Sequence, residues 1–124
     1  MTMTNTKSKR SEICEALAHC TGSEFWYRHP LVRTFIYTDG VQMFAEMAGA
    51  YWFLDIVATE VFPFQGKEEF IVVMLAVTGS TARINAEDGN GREFWHRDIA
   101  FTDCPEGDWK FFLVNNTFLV PSEY

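Results

Sequence analysis

The apolar run Phe70 to Thr78, FIVVMLAVT, constrains the fold more than any other stretch of the chain. It is far too short to cross a bilayer as a helix, and its β-branched side chains favour extended backbone. It reads as a central strand covered on both faces. Thr81 to Ala86 follows directly and places Ala82, Ile84 and Ala86 on one side, so the two segments should be neighbours in a sheet. Asp88-Gly89-Asn90-Gly91 predicts a hairpin loop into a strand over Arg92 to Ile99. Asn115-Asn116 predicts another between Trp109 to Val114 and Thr117 to Val120.

Upstream of this meander the periodicity changes. Ile13, Ala16, Leu17 and Cys20 follow helical spacing, with Ser11 as cap, Glu12 near the start and Thr21-Gly22 as the stop. Met1 to Arg10 has neither period nor bulk and reads as a loose polar tail, leaving 11–124 as one domain. Phe25 to Tyr37 reads as a strand, with Pro30 holding His29 extended. After the turn residues Thr38-Asp39-Gly40, Val41, Phe44, Ala45 and Ala48 recur at helical spacing. Gly49 weakens that helix, and Phe53, Leu54, Ile56 and Val57 resume it as a kinked helix or as two short ones, ended by Pro63. The expected fold is α+β: an antiparallel sheet of about five strands, with the N-terminal helix and the central helical segment packed on one face.

With 124 residues, twelve Phe and four Trp, one self-supporting core is expected without disulfides. Three cysteines cannot all pair within one chain and show no CxxC spacing, which points to reduced thiols in a cytoplasmic setting and to no structural metal. Cys14 or Cys20 reads as a small buried hydrophobe in place of a metal ligand. His19 projects off the apolar stripe and completes no ligand set. The N-terminus lacks the apolar segment of a signal peptide, and no stretch is long enough for a membrane helix. A formal charge of −7, with Lys7, Lys9 and Arg10 gathered at the N-terminus, leaves an acidic body that argues against direct nucleic-acid binding and suits a basic protein surface.

Two clusters carry possible chemistry. In Tyr27-Arg28-His29-Pro30, Arg28 could hold an anion while His29 moves a proton; in His96-Arg97-Asp98, alternation puts His96 and Asp98 on one strand face as an acid–base pair. If Arg28, His29, His96 and Asp98 converge, they define a small enzyme or ligand pocket between helix and sheet. Against this, each cluster also reads as ordinary polar lining, and neither has a nucleophile beside it. Glu46 and Asp55 sit in apolar segments and read as outward-pointing helix residues. Asp88-Gly89-Asn90-Gly91 lacks the helix, Lys and hydroxyl residue of a phosphate loop, so no cofactor is expected. Glu87, Asp88, Asp103, Glu106 and Asp108 are turn acids that could gather at one sheet end and meet an Arg-rich protein, with Trp109 beside them. Trp26, Tyr27, Tyr51, Trp52 and Trp95 are further contact anchors if exposed.

Several strings resemble a family of small uncharacterised proteins of bacteria, phages and plasmids: Tyr27-Arg28-His29-Pro30-Leu31, Tyr37-Thr38-Asp39-Gly40-Val41 and Gly49-Ala50-Tyr51-Trp52, then Asp88-Gly89-Asn90-Gly91, Phe101-Thr102-Asp103 and Pro121-Ser122-Glu123-Tyr124. The resemblance implies a mobile-element setting and supplies no catalytic residues. Joined to small size, acidity and aromatic content, it leads to the expectation of a non-enzymatic protein-binding domain. Its partner would be a nucleic-acid-processing effector of a host defence system, inhibited in the manner of an anti-CRISPR or anti-restriction protein. Exposed strand edges make a homodimer conceivable.

Overall fold

The computed structural model describes residues 9–19 and 25–124. Helix α1 spans Lys9–Ala18, and strands β1 (Trp26–Arg28) and β2 (Ile36–Thr38) precede helices α2 (Asp39–Ala48) and α3 (Tyr51–Ile56). Helix α3 runs on through a π turn, Val57–Val61, and a 3-10 turn, Phe62–Gly66. Strands β3 (Phe70–Thr78), β4 (Thr81–Glu87), β5 (Glu93–Ile99), β6 (Gly107–Val114) and β7 (Thr117–Leu119) follow, and a 3-10 turn, Pro121–Glu123, closes the chain. The strands make one sheet in the order β1-β2-β7-β6-β3-β4-β5, antiparallel except for the parallel pair β2 and β7.

The α+β class holds, but the sheet is mixed and has seven strands rather than an antiparallel set of about five. The extra strand at the N-terminal side arises because Phe25 to Tyr37 is folded back on itself. Pro30 has no N–H to continue a ladder. The chain instead turns through residues 30–34, with Phe35 N–H on the Val32 carbonyl at 2.9 Å and His29 N–H on the Phe35 carbonyl at 3.0 Å. The parallel pair joins elements from opposite ends of the domain, Ile36 opposite Thr117 and Tyr37 opposite Phe118.

In β3, Ile71, Val73, Leu75 and Val77 are buried, whereas Phe70, Val72, Met74 and Ala76 are only half-buried. The expected cover on both faces is therefore found on one, because the helical layer lies on a single side. On the other side the rings of Phe112 and Tyr124 pack against Phe70, at 5.1 and 5.6 Å between centroids. The hairpins expected at 88–91 and 115–116 are present. Asn115 and Asn116 both take positive φ, 50° and 63°, as a two-residue turn matched to strand twist requires.

The core is aromatic. Phe44 of α2 and Phe53 of α3 each lie 5.1 Å from Phe111 of β6, and Phe111 stacks on Phe118 of β7 at 5.1 Å. Gly49, at φ 63°, ends α2 in the left-handed conformation and lets α3 turn back over the same cluster. Lys9 and Arg10, assigned to the tail by sequence, form the start of α1. The Arg10 guanidinium lies 4.6 Å above the Trp109 ring and donates to the Glu106 carbonyl at 3.4 Å. Residues 1–8, the remainder of the expected tail, and Cys20 with Thr21-Gly22 lie outside the described residues.

The C-terminal turn docks where β2 becomes α2. Glu123 accepts the Gly40 N–H at 3.0 Å, the Val120 N–H at 3.0 Å and the Thr38 hydroxyl. Thr38 stands at the N-cap of α2 but makes no cap bond with its own side chain; the Glu123 carboxylate satisfies the helix N-terminus instead. A Cβ on Gly40 would come within 2.8 Å of both Glu123 Oε1 and Val120 Cγ2. Gly to Ala in a helix normally stabilises by roughly 0.5–1 kcal/mol. Here the contact with Val120 reverses the sign, and Gly40→Ala is expected to cost about 1–3 kcal/mol in urea denaturation.

Candidate functional site

Three of the family-like strings converge at one corner of the sheet. β1 supplies Tyr27, Arg28 and His29, β2 and the start of α2 supply Tyr37 to Gly40, and α3 supplies Tyr51 and Asp55. Tyr27 stacks on Tyr37, its partner across the strands, with centroids 5.6 Å apart and planes at 16°. The Tyr27 hydroxyl donates to the Asp39 carboxylate. The Tyr51 hydroxyl accepts from Gln42 Nε2 and donates to Glu46 Oε1, both at 2.9 Å. Tyr27 and Tyr51 keep 36% and 41% of their surface exposed, while Tyr37 between them is buried. Glu46 and Asp55 point to solvent, as their place on amphipathic helices leads one to expect.

All three phenols are held above the ordinary tyrosine range. Desolvation is the leading cause for each, followed by the Asp39 charge at Tyr27, by Tyr27 and then Asp55 at Tyr37, and by the Glu46 hydrogen bond at Tyr51. The corner therefore presents neutral aromatic rings set among carboxylates. Such a surface attracts cations, both by charge and by the faces of the rings.

His29 is 2% exposed and committed within the chain. Its Nδ1 lies 3.1 Å from the N–H groups of Leu31 and Val32, so it accepts from both. The ring proton must then sit on Nε2, which donates to Asp55 Oδ1 at 2.8 Å. This geometry makes His29 the organiser of the 30–35 turn. A proton-transfer role would require breaking bonds that hold the backbone.

The pocket expected from Arg28, His29, His96 and Asp98 does not assemble. β1 and β5 are the two opposite edges of the sheet, six strand spacings or roughly 25–30 Å apart. His96 Nδ1 instead lies 3.3 Å from Glu93 on its own strand, and Arg83 of β4 spans Glu93 and Asp98 of β5 at 3.8 and 3.7 Å, all of these side chains being exposed. The turn acids do not gather at one end either. Glu87 stands opposite Val72 and Asp108 opposite Ala76, so Glu87 and Asp88 lie towards one end of the sheet and Asp103, Glu106 and Asp108 towards the other. Asp88 accepts the N–H groups of Asn90 and Arg92, which holds its carboxyl below the usual range and ties it to its own turn.

Trp109 is 3% exposed, packed 5.1 Å from Phe44 with its indole N–H on the Pro105 carbonyl, so it is core and not a contact anchor. Trp52 and Trp95 are half-buried, while Trp26 remains 58% exposed. Sequence alone cannot separate these tryptophans. Of the two cysteines expected as alternatives for burial, Cys14 is exposed and Cys20 lies outside the described residues; among the described residues no three His, Cys, Asp or Glu side chains form a metal-binding group.

The fold and this corner define a single-sheet α+β domain with an aromatic and acidic surface at one sheet edge. Residues 11–124 match the family of unknown function DUF6876, and the chain belongs to that family. No curated protein and no solved structure matches it. No helix among the described residues is long and apolar enough to cross a membrane.

Replacing His29 by Leu leaves two backbone N–H groups without an acceptor, and is expected to cost about 2–4 kcal/mol by urea denaturation. Asp55→Asn keeps an acceptor at an exposed position and should stay within about 1 kcal/mol of the parent. Cys104 gives a pH signature. Burial raises its thiol to about 11. The neutral thiol favours the folded chain, so this contribution is complete below the unfolded thiol value of about 8.5 and is lost as pH rises towards the folded value. Thermal melting across that window should show an alkaline loss of stability that is smaller in Cys104→Ala. Native Cys104 should also resist alkylation under conditions where Cys14 reacts.

Proposed function

We propose that this chain is a non-enzymatic protein-binding domain that engages a basic surface of its partner through the corner formed by Tyr27, Tyr51, Asp39, Glu46 and Asp55. The observation that carries the reading is the pairing of exposed tyrosine rings with carboxylates on adjacent elements: Tyr27 with Asp39, and Tyr51 with Glu46. Tyrosine supplies large contact area at small entropic cost, and carboxylates select arginine and lysine. Asp103, Glu106 and Asp108, exposed elsewhere, add long-range attraction that speeds encounter with a basic partner. The overall charge of −7 acts in the same direction. The resemblance to small phage and plasmid proteins makes a nucleic-acid-processing effector of a host defence system, of the CRISPR–Cas or restriction type, the partner class of first choice. Such an effector carries the basic channel that this surface fits.

An enzymatic reading lacks comparable support, since His29 is occupied on both nitrogens and lies at the opposite sheet edge from His96 and Asp98.

The test is binding of the purified protein to a panel of purified defence effectors, with Glu46→Lys/Tyr51→Ala as the variant. Both positions are exposed, so the melting temperature should be retained. The expected result is an effector bound at defined stoichiometry, with affinity lowered at least about tenfold in the variant and more steeply at low salt. Absence of binding to every effector, or binding untouched by the variant, contradicts the proposal.

A further inference from the structure

The two edges of the sheet are built differently. β5 carries Glu93, His96, Arg97 and Asp98, with ion pairs linking it to Arg83 of β4 and, through Arg97 and Glu60, to the π turn. Charged side chains are the usual protection of an edge against pairing with another strand. β1 carries one charge, Arg28, beside two exposed aromatics. Phe25 just before it and Trp26 and Tyr27 within it are 64%, 58% and 36% exposed, and Leu31 just beyond is 82% exposed. Among the described residues β1 has a strand partner, β2, on one side only. An edge this rich in exposed aromatics is a surface suited to being covered.

We infer that β1 pairs antiparallel with β1 of a second copy of this chain, joining the two sheets across a two-fold axis at Tyr27. The argument for a second copy is self-complementarity. In that register Trp26 of each copy stands directly opposite Arg28 of the other, and Tyr27 opposite its own counterpart. Trp26 and Arg28 share one face of the strand and Tyr27 takes the other. Each interface thus contains two indole–guanidinium pairs related by symmetry, on the face away from Tyr37. Arg28 is the only charged side chain in β1, and the two-fold puts it against the ring best suited to it. On the opposite face the two tyrosine corners meet side by side. The short ladder ends where Pro30 removes the next N–H, so the contact is compact and of moderate strength. The dimer shares Tyr27 with the partner surface proposed above and leaves Tyr51 and Glu46 outside the strand pairing, so the two readings are tested by different variants.

Sedimentation equilibrium of the purified full chain tests it, using the parent, Trp26→Arg and the exchange variant Trp26→Arg/Arg28→Trp. The parent should be dimeric. Trp26→Arg sets two arginines against each other at each pair and should weaken the dimer at least about tenfold. The exchange variant restores both cross-strand pairs and should return the dissociation constant to within about threefold of the parent. Circular dichroism and melting temperature confirm the fold of each. A monomeric parent, a dimer unaffected by Trp26→Arg, or an exchange variant that stays dissociated would each overturn the inference, the last by excluding the antiparallel register.

Discussion

The carboxylate of Glu123 joins parts of the chain that sequence keeps far apart. It accepts from Gly40 at the start of α2, from the Thr38 hydroxyl at the end of β2, and from Val120 beside it. A negative charge at a helix N-terminus is favourable, and here it arrives from the far end of the molecule. β2 pairs in parallel with β7, which leads straight into the turn carrying Glu123. The clasp therefore fixes the direction in which α2 leaves the sheet, and through α2 and Gly49 the placement of Tyr51 and Asp55. β1 hangs on β2 and on nothing else among the described strands. Its aromatics are held by β2 together with the contacts of Tyr27 and the Phe25 N–H to Asp39 at the start of α2.

Much of the sheet could be read from local chemistry. Alternation in Thr81 to Ala86, the Asp88 loop and the Asn115-Asn116 turn each specify structure within a few residues, and the structure follows them. The apolar run of β3 was a weaker guide, because a strand shows little alternation when its buried face carries Ile, Val and Leu and its half-buried face Phe, Val, Met and Ala. The division of Phe25 to Tyr37 into two strands was visible only as Pro30: the turn that follows is held by a buried histidine accepting two backbone N–H groups, a bond pattern with no sequence signature. The parallel β2–β7 pair and the Glu123 clasp link residues about 80 positions apart, and no period or turn rule reaches that far.

The site was legible in part. Glu46 and Asp55 point outward, in keeping with their positions in the sequence pattern, whereas the exposure of Tyr27 and Tyr51 is decided by packing that the pattern does not show. Trp109 was indistinguishable from Trp26 until packing against Phe44 placed one in the core and left the other at an edge. The acids near both ends of the meander share a charge sign but not a location, since strand register, not composition, decides which end a turn occupies. A surface that sequence describes as generally acidic is thus resolved into an aromatic corner at one edge, ion-paired polar residues at the other, and acids spread between the two ends.

Amide hydrogen exchange in the Glu123→Gln variant tests most directly whether the clasp organises the corner. The amide form keeps the size of the side chain and removes its charge. The account predicts faster exchange confined to β1, β2 and the first turn of α2, with protection of β3, β4 and β5 unchanged. Uniform acceleration across the sheet, or unchanged protection at Trp26 to Arg28 and Ile36 to Gly40, would contradict it.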